Sequence, residues 1–366
     1  MNGAADKVLV GAFAFLLGGL LLFNLAGPDR GFSPMENRYL AKKPPCTPAA
    51  LLSGRFSRQF EDYVTDEFAF RDQWVYLKGD MERLLLRREN KGIFLGRDGF
   101  LLENFRGPGA ALARNIERIN RLAQACPQLQ VSLLLAPNSV ALYPDKLPLF
   151  ASVYSQAQVI EDTKTALGEG VDFVPVLEAL WAERGQDLYY RTDHHWTMAG
   201  AYLAYRQLAP FLGFQPLPPS AYYQEVVARD FQGTYSAKAG NRWLKGEPIV
   251  VWQLREPVGV TVRFNDRKGT FPSLFFTEHL ATRDKYAYFL DGNHPLAVIH
   301  TEAGQGGKIA VFKDSFAHAL VPFLAPHFEE IHLIDLRFFD ASPEEYLQEQ
   351  EIDRVLFLYS VSAFAG

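Results

Sequence analysis

Cysteine is nearly absent: 366 residues contain two, Cys46 and Cys126. That excludes a disulfide scaffold and a four-thiolate zinc centre. A basic excess is also missing, since 37 Lys and Arg stand against 42 Asp and Glu, a net charge of −5. Without surplus cations to neutralise phosphates, nucleic acid is excluded as the main partner. Internal repeats and low-complexity runs are lacking. Only one apolar run approaches membrane length, so a multi-span chain is excluded. What remains is the composition of a packed globular protein, 48% hydrophobic and 22% charged. By length the chain is two or three average domains or one elaborated α/β unit. Aromatic content is high at 14%. Such side chains either build a core or line a carbohydrate-binding surface, and composition does not choose between them.

The apolar run is Val8 to Gly27, VLVGAFAFLLGGLLLFNLAG, with Asn24 its one strongly polar residue. As a helix rising ~1.5 Å per residue it spans roughly 30 Å, the hydrocarbon thickness of a bilayer. A cleaved signal peptide would have a shorter apolar core and a small-x-small cleavage site, and Leu25-Ala26-Gly27 followed by Pro28 is a poor one. The expectation is an uncleaved signal anchor over residues 1–27. Lys7 and the amino terminus on one side barely outweigh Arg30 and Arg38 on the other. The expected topology is a short tail inside and the rest of the chain outside, membrane-anchored and extracytoplasmic.

Residues 28–51 read as a linker, broken by Pro34, Pro44, Pro45 and Pro48. A catalytic domain is expected over 52–366. It starts with a helical stretch carrying Phe56, Phe60, Tyr63 and Val64, then a hairpin from Gly92 to Glu103 turning at Arg97-Asp98-Gly99. Helix Ala111–Ala125 precedes strand Val131–Ala136, and helix Ser155–Leu167 precedes strand Val171–Val174. Strands Lys308–Phe312, Ile331–Ile334 and Val355–Tyr359 follow, with a helix from Phe316. Short unalternated runs of Val, Ile, Leu and Phe separated by helices predict a parallel sheet covered on both faces. From about 222 to 299 the pattern becomes β-rich, an expected insertion in the α/β unit.

Tyr189 to Gly200, YYRTDHHWTMAG, carries the strongest chemical signal. Thr197 is placed to cap a helix ending near Gly213, with Asp193 and His195 on the turn leading into it. Two residues apart in an extended segment, they point the same way. The carboxylate can then fix the imidazole tautomer and leave the other ring nitrogen as a base. The same pattern also serves as a simple cap, and Asp193 with two histidines could bind a metal. With no thiolate and no helical His-x-x-x-His nearby, metal binding ranks third, and neither metal nor cofactor is expected. Ser315, after a buried strand and at the start of a helix, would expose a hydroxyl at the carboxyl edge of the sheet. The first helical N–H groups there could stabilise an oxyanion. Asn293, in the turn FLDGNHP, and Asn138, after strand Val131–Ala136, compete as amide donors to that oxyanion; as a bland alternative FLDGNHP is only a turn.

These segments, in order, resemble the DHHW-motif family of membrane-anchored bacterial proteins, related to the alginate O-acetyltransferases AlgX and AlgJ and more distantly to SGNH/GDSL hydrolases. The resemblance runs from the anchor through FSPMENRYLAKKP, FEDYVTDEFAFRDQW, NKGIFLGRDGFLL, the Asp193-His194-His195-Trp196 motif and FLDGNHP to KDSFAHALVPFLAPHFEEIHLID. It implies an SGNH hydrolase-like three-layer α/β/α domain, with Ser315 as nucleophile, His195 as base and Asp193 as its orienting acid. The chain departs from the alginate branch at Asp314, where that branch has a small or hydroxylated residue, and in lacking a basic residue near Ala319. The expected function is O-acetyl transfer to a cell-envelope or secreted polysaccharide. The resemblance implies a membrane-bound O-acyltransferase as the partner supplying acyl groups. The alternatives are an acetyl esterase using the same triad and a non-catalytic polysaccharide-binding scaffold of an export complex.

Overall fold

The computed structural model describes residues 3–33, 38–241, 243–303 and 306–366. Part of the FSPMENRYLAKKP segment, residues 34–37, therefore lies outside the described residues. Two compact units form, one of residues 1–87 with 240–242, the other of residues 88–239 with 243–366. The first holds helix Gly3–Ala26, short helix Pro48–Leu52 capped by the Thr47 side chain, and helices Arg55–Asp66 and Arg71–Leu84. Within Gly3–Ala26, Asp6–Asn24 is long and apolar enough to cross a membrane, and none of it is buried.

The second unit is built on a seven-stranded sheet. In chain order its strands are β1 Gln130–Ala136, β2 Val171–Phe173, β3 Val260–Phe264, β4 Leu296–Thr301, β5 Lys308–Lys313, β6 Glu330–Ile334 and β7 Arg354–Ser360. Their spatial order is β3-β4-β6-β5-β7-β1-β2. The contiguous strands from β6 to β2 pair in parallel, as their unalternated apolar runs predict. Two strands from the stretch expected as a β-rich insertion extend the sheet with antiparallel pairing: β4 runs antiparallel to both β3 and β6. The β-rich stretch divides. Tyr222–Phe231 and Glu247–Leu254 pair as a separate antiparallel ribbon, whereas β3 and β4 join the edge of the main sheet. In edge strand β3, Thr261 and Arg263 are exposed while Val262 and Phe264 are buried, the alternation of a strand with one wet face.

Alternation along each central strand builds the three layers. Leu134, Val311, Leu356 and Leu333 enter one core, which includes helices Met198–Leu212 and Ala317–Leu324. Val131, Leu133, Leu135, Phe312 and Phe357 enter the other, under helices Ala111–Ala125 and Gln156–Ala166. Each such Leu or Val, fully buried, contributes about 1.5–3 kcal/mol before entropy is counted. The expected hairpin forms, Ile93–Leu95 against Leu101–Glu103, with Asp98 taking φ 56° at its turn. Cys46 and Cys126 are free thiols.

Candidate active site

Thr197 caps helix Met198–Leu212 through a bond from Gly200 N–H, and Gly213 ends it in the left-handed region. The preceding residues are not extended, so Asp193 and His195 do not meet by strand alternation. Residues 191–195 form a tight bend in which Asp193 Oδ1 accepts from His195 N–H at 3.0 Å and contacts His195 Nδ1 at 2.5 Å. The other ring nitrogen, Nε2, lies 2.6 Å from Ser315 Oγ across 120 residues of sequence. The geometry thus brings Asp193, His195 and Ser315 into one hydrogen-bonded line. Trp196 pins the two segments together, its indole N–H donating to the Phe316 carbonyl at 2.9 Å.

Asp193 is buried and densely supported. Its Oδ2 accepts from Thr234 N–H at 2.7 Å and from the Thr234 hydroxyl at 3.1 Å. Gly233 is required for this approach, because a Cβ there would sit 2.1 Å from Asp193 Oδ2. Burial works against the Asp193 charge, but the two adjacent imidazoles hold its carboxyl well below the usual range. Burial likewise lowers His194, yet the Asp193 carboxylate beside it prevails and its pKa is raised. His194 Nδ1 lies 2.7 Å from Thr234 Oγ1, and its ring lies 3.7 Å from that of His195. His195 goes the other way: burial, then the charge of His194, push it down to about 4, with Asp193 opposing. Tyr286 stacks on its ring at 3.7 Å and Phe316 lies 5.3 Å away, an apolar surround that favours neutral imidazole.

The ligand atoms of Asp193, His194 and His195 fall within 4.8 Å of one another, as a metal site would need. Both nitrogens of His195 are already engaged, however, one by Asp193 and one by Ser315. That arrangement suits proton transfer better than ligation.

Ser315 sits between β5 and helix Ala317–Leu324, at the carboxyl edge of the parallel strands. The oxyanion expectation needs refinement here. Asp314 folds its Oδ1 back on Phe316 N–H at 2.9 Å, Ala317 N–H bonds the Asp314 carbonyl, and His318 N–H bonds the Ser315 carbonyl. Those amides are taken, while Ser315 N–H has no acceptor among the described residues. Asp314 also accepts from Ser360 N–H at 2.8 Å, tying the serine turn to the end of β7. Its burial raises its carboxyl pKa. Neither asparagine candidate hydrogen-bonds to Asp193, His195 or Ser315. Asn293 Oδ1 accepts from Lys313 Nζ at 3.4 Å and from Arg337 at 3.5 Å. Asn138 Oδ1 accepts from Gln156 and from Ser362.

Several supporting residues are not legible in the sequence. The Glu247 carboxylate, on the β-ribbon, accepts from Arg191 N–H and Thr192 N–H, both at 2.8 Å, and so holds the chain just before Asp193. Thr234 and Tyr286 also come from remote parts of the sequence, and none of the three carries a local motif. The isolated Gly233 beside Thr234 is the one signal that could have marked this close backbone approach.

Residues 93–269 match the family described as "SGNH hydrolase-like domain, acetyltransferase AlgX". The chain is 26% identical over 240 residues to a probable alginate O-acetylase AlgJ of Azotobacter vinelandii, covering 62% of this chain and 58% of that one. It is 27% identical to the Pseudomonas aeruginosa protein of the same name, over 55% of this chain and 51% of that one. The chain therefore spans about half the length of these curated relatives. Among solved structures, a DHHW family protein from Eubacterium siraeum superposes with a TM-score of 0.67 at 25% identity, covering 76% of this chain and 93% of that one. Bacillus cereus PatB1, solved with a sulfonyl adduct, gives 0.63 at 25% identity over 75% of this chain and 97% of that one. The resemblance to DHHW-motif proteins and the SGNH-like α/β fold both hold.

Proposed function

We propose that this chain is an extracytoplasmic O-acetyltransferase that moves acetyl groups onto hydroxyls of a cell-envelope or secreted polysaccharide, with Ser315 as nucleophile. The observation that carries the reading is the continuous line from Asp193 through His195 to Ser315, with contacts of 2.5 and 2.6 Å. Its similarity to proteins named alginate O-acetylases supports transfer to a polysaccharide. Helix Gly3–Ala26 would anchor the chain on the outer face, next to a membrane-bound O-acyltransferase that supplies the acetyl group.

In the first half-reaction, Ser315 Oγ attacks the acetyl carbonyl as its proton passes to His195 Nε2. Asp193 holds Nδ1–H and stabilises the imidazolium. The unengaged Ser315 N–H is available to the tetrahedral oxygen, close to the positive end of the following helix. His195 returns the proton to the leaving group, and acetyl-Ser315 remains. A sugar hydroxyl then gives its proton to His195 and attacks the ester carbonyl. Collapse releases the acetylated sugar as His195 returns that proton to Ser315 Oγ, which restores the free serine. Water in place of sugar would give the esterase.

The test is acetyl transfer from p-nitrophenyl acetate to oligosaccharide acceptors, followed by mass spectrometry, alongside labelling by a serine-reactive sulfonyl fluoride. Acetylated oligosaccharide and one sulfonyl group on Ser315 are expected. Released acetate without transfer would leave an esterase. Neither turnover nor labelling would leave the scaffold reading, with Asp193 and His195 capping a turn.

The charge balance around His195 makes a further prediction. A general base works only when deprotonated, so turnover should rise as pH increases through His195's own pKa, near 4, and stay level across neutrality. Replacing His194 by glutamine removes the neighbouring positive charge and should shift that acid limb to higher pH. A pH–rate profile with its limb near the ordinary histidine value in both proteins would contradict this balance.

A further inference from the structure

Helix Arg71–Leu84 is amphipathic in the wrong sense for a water-soluble surface. Trp74, Leu77, Met81 and Leu84 recur at spacings of three and four, which places them on one helical face, and Phe70 stands at the N-cap just before them. That face is outward: Trp74 is 43% exposed, Leu77 49%, Met81 50% and Leu84 75%. Leu85 and Leu86 extend it past the helix end, both exposed. The opposite side carries buried Gly79 and an Asp80–Arg83–Asn241 hydrogen-bonded set. A soluble surface rarely shows such a contiguous apolar stripe without something to cover it.

What covers it is indicated by where the helix begins. The end of the membrane-length helix is laced to the residues leading into Arg71–Leu84. Asn24 Oδ1 accepts from Ala69 N–H at 2.8 Å, and the Phe23 and Phe70 rings meet edge to face at 5.4 Å. Just beyond the helix, the Arg30 guanidinium donates to the Asp66 carbonyl at 2.8 Å, and the Tyr63 hydroxyl donates to Asp29 at 2.6 Å. The apolar stripe therefore starts at the level where the anchor leaves hydrocarbon. Its composition fits the headgroup boundary: an indole, aliphatic side chains, Lys78 at the margin, and Arg87 and Arg88 directly after. Long cationic side chains there can reach phosphates while their stems stay among apolar groups.

We infer that the face formed by Phe70, Trp74, Leu77, Met81, Leu84 and Leu85 lies in the bilayer interface as a second, in-plane membrane contact beside the anchor. The inference rests on the reading of Gly3–Ala26 as a membrane anchor. Its function is to hold the chain leaving the bilayer at a set depth instead of on a free tether.

The test uses the full chain with Cys46→Ser and Cys126→Ser, reconstituted in phosphatidylcholine–phosphatidylglycerol vesicles. Single cysteines, Leu84→Cys, Leu16→Cys or Leu149→Cys, are labelled with the environment-sensitive dye NBD. Doxyl groups on the lipids report depth. The Leu84 probe should be quenched by shallow doxyl lipids at least about threefold more than the Leu149 probe. Adding Leu77→Glu should return it to the Leu149 level, because a carboxylate is expelled from the apolar boundary. A water-like Leu84 probe beside a deep Leu16 probe would overturn the inference and point to a protein partner for the face. Water-like probes at both positions would show that the anchor reading fails, and the in-plane contact with it.

Discussion

Replacing Ser315 by alanine is expected to lower acetyl transfer by about 10³-fold or more and to remove covalent labelling by a sulfonyl fluoride. On the proposed mechanism the hydroxyl is the atom that becomes esterified, and among the described residues His195 Nε2 hydrogen-bonds to no other side chain. Residual turnover would come from binding and oxyanion stabilisation alone, which in triad hydrolases leave roughly 10³–10⁴ over water. Folding should be spared. Ser315 is only part-buried, and the turn is held by Asp314 through Phe316 N–H and Ser360 N–H, contacts the substitution leaves in place. Thermal unfolding close to that of the parent protein would show that the loss is chemical. Equal turnover and labelling in parent and variant, on both a reporter ester and an oligosaccharide acceptor, would remove the enzymatic reading.

Asp193→Asn is also expected to lower turnover, by about 10⁴-fold, while leaving the fold intact. The amide is isosteric, which matters because the backbone at Gly233 leaves no room at Asp193 Oδ2 for a larger group. Its oxygen can still accept from Thr234 N–H. Its NH₂ would then face His195 Nδ1 as a donor, and the imidazole would carry its proton on Nε2. That nitrogen could no longer accept from Ser315. The check is turnover on the reporter ester, with circular dichroism and thermal unfolding as controls. A variant near the parent rate, beside an inactive Ser315→Ala, would reduce the site to a Ser–His pair with Asp193 structural.

The local parts of this site were legible because they obey short-range rules. Asp193, His195 and the Thr197 cap lie within one turn leading into a helix, and Ser315 follows an apolar run that could only be a buried strand. The hairpin turn at Arg97-Asp98-Gly99 follows from the same local chemistry. The bend at 191–195 shows the limit of that reasoning. The expected pair met, but through a side chain folding back on its own backbone instead of through strand alternation. Asp314, read in the sequence as a departure from the alginate branch, holds Phe316 N–H locally and gains its long-range role when Ser360 arrives from β7 to share its carboxylate.

By itself, the sequence determined the membrane-length apolar helix, the buried strands and the three side chains proposed to react, since hydrophobic period and turn chemistry act over a few residues. Only the tertiary structure decided the rest. It turned β4 against its neighbours, engaged Asn293 and Asn138 with other partners and left Ser315 N–H without an acceptor among the described residues. It also brought Glu247, Thr234 and Tyr286 around the Asp193–His195 turn. Those contacts join residues about 40 to 90 positions apart. No local periodicity reports them, because their energy comes from burial and hydrogen-bond satisfaction that exist only once the layers have packed.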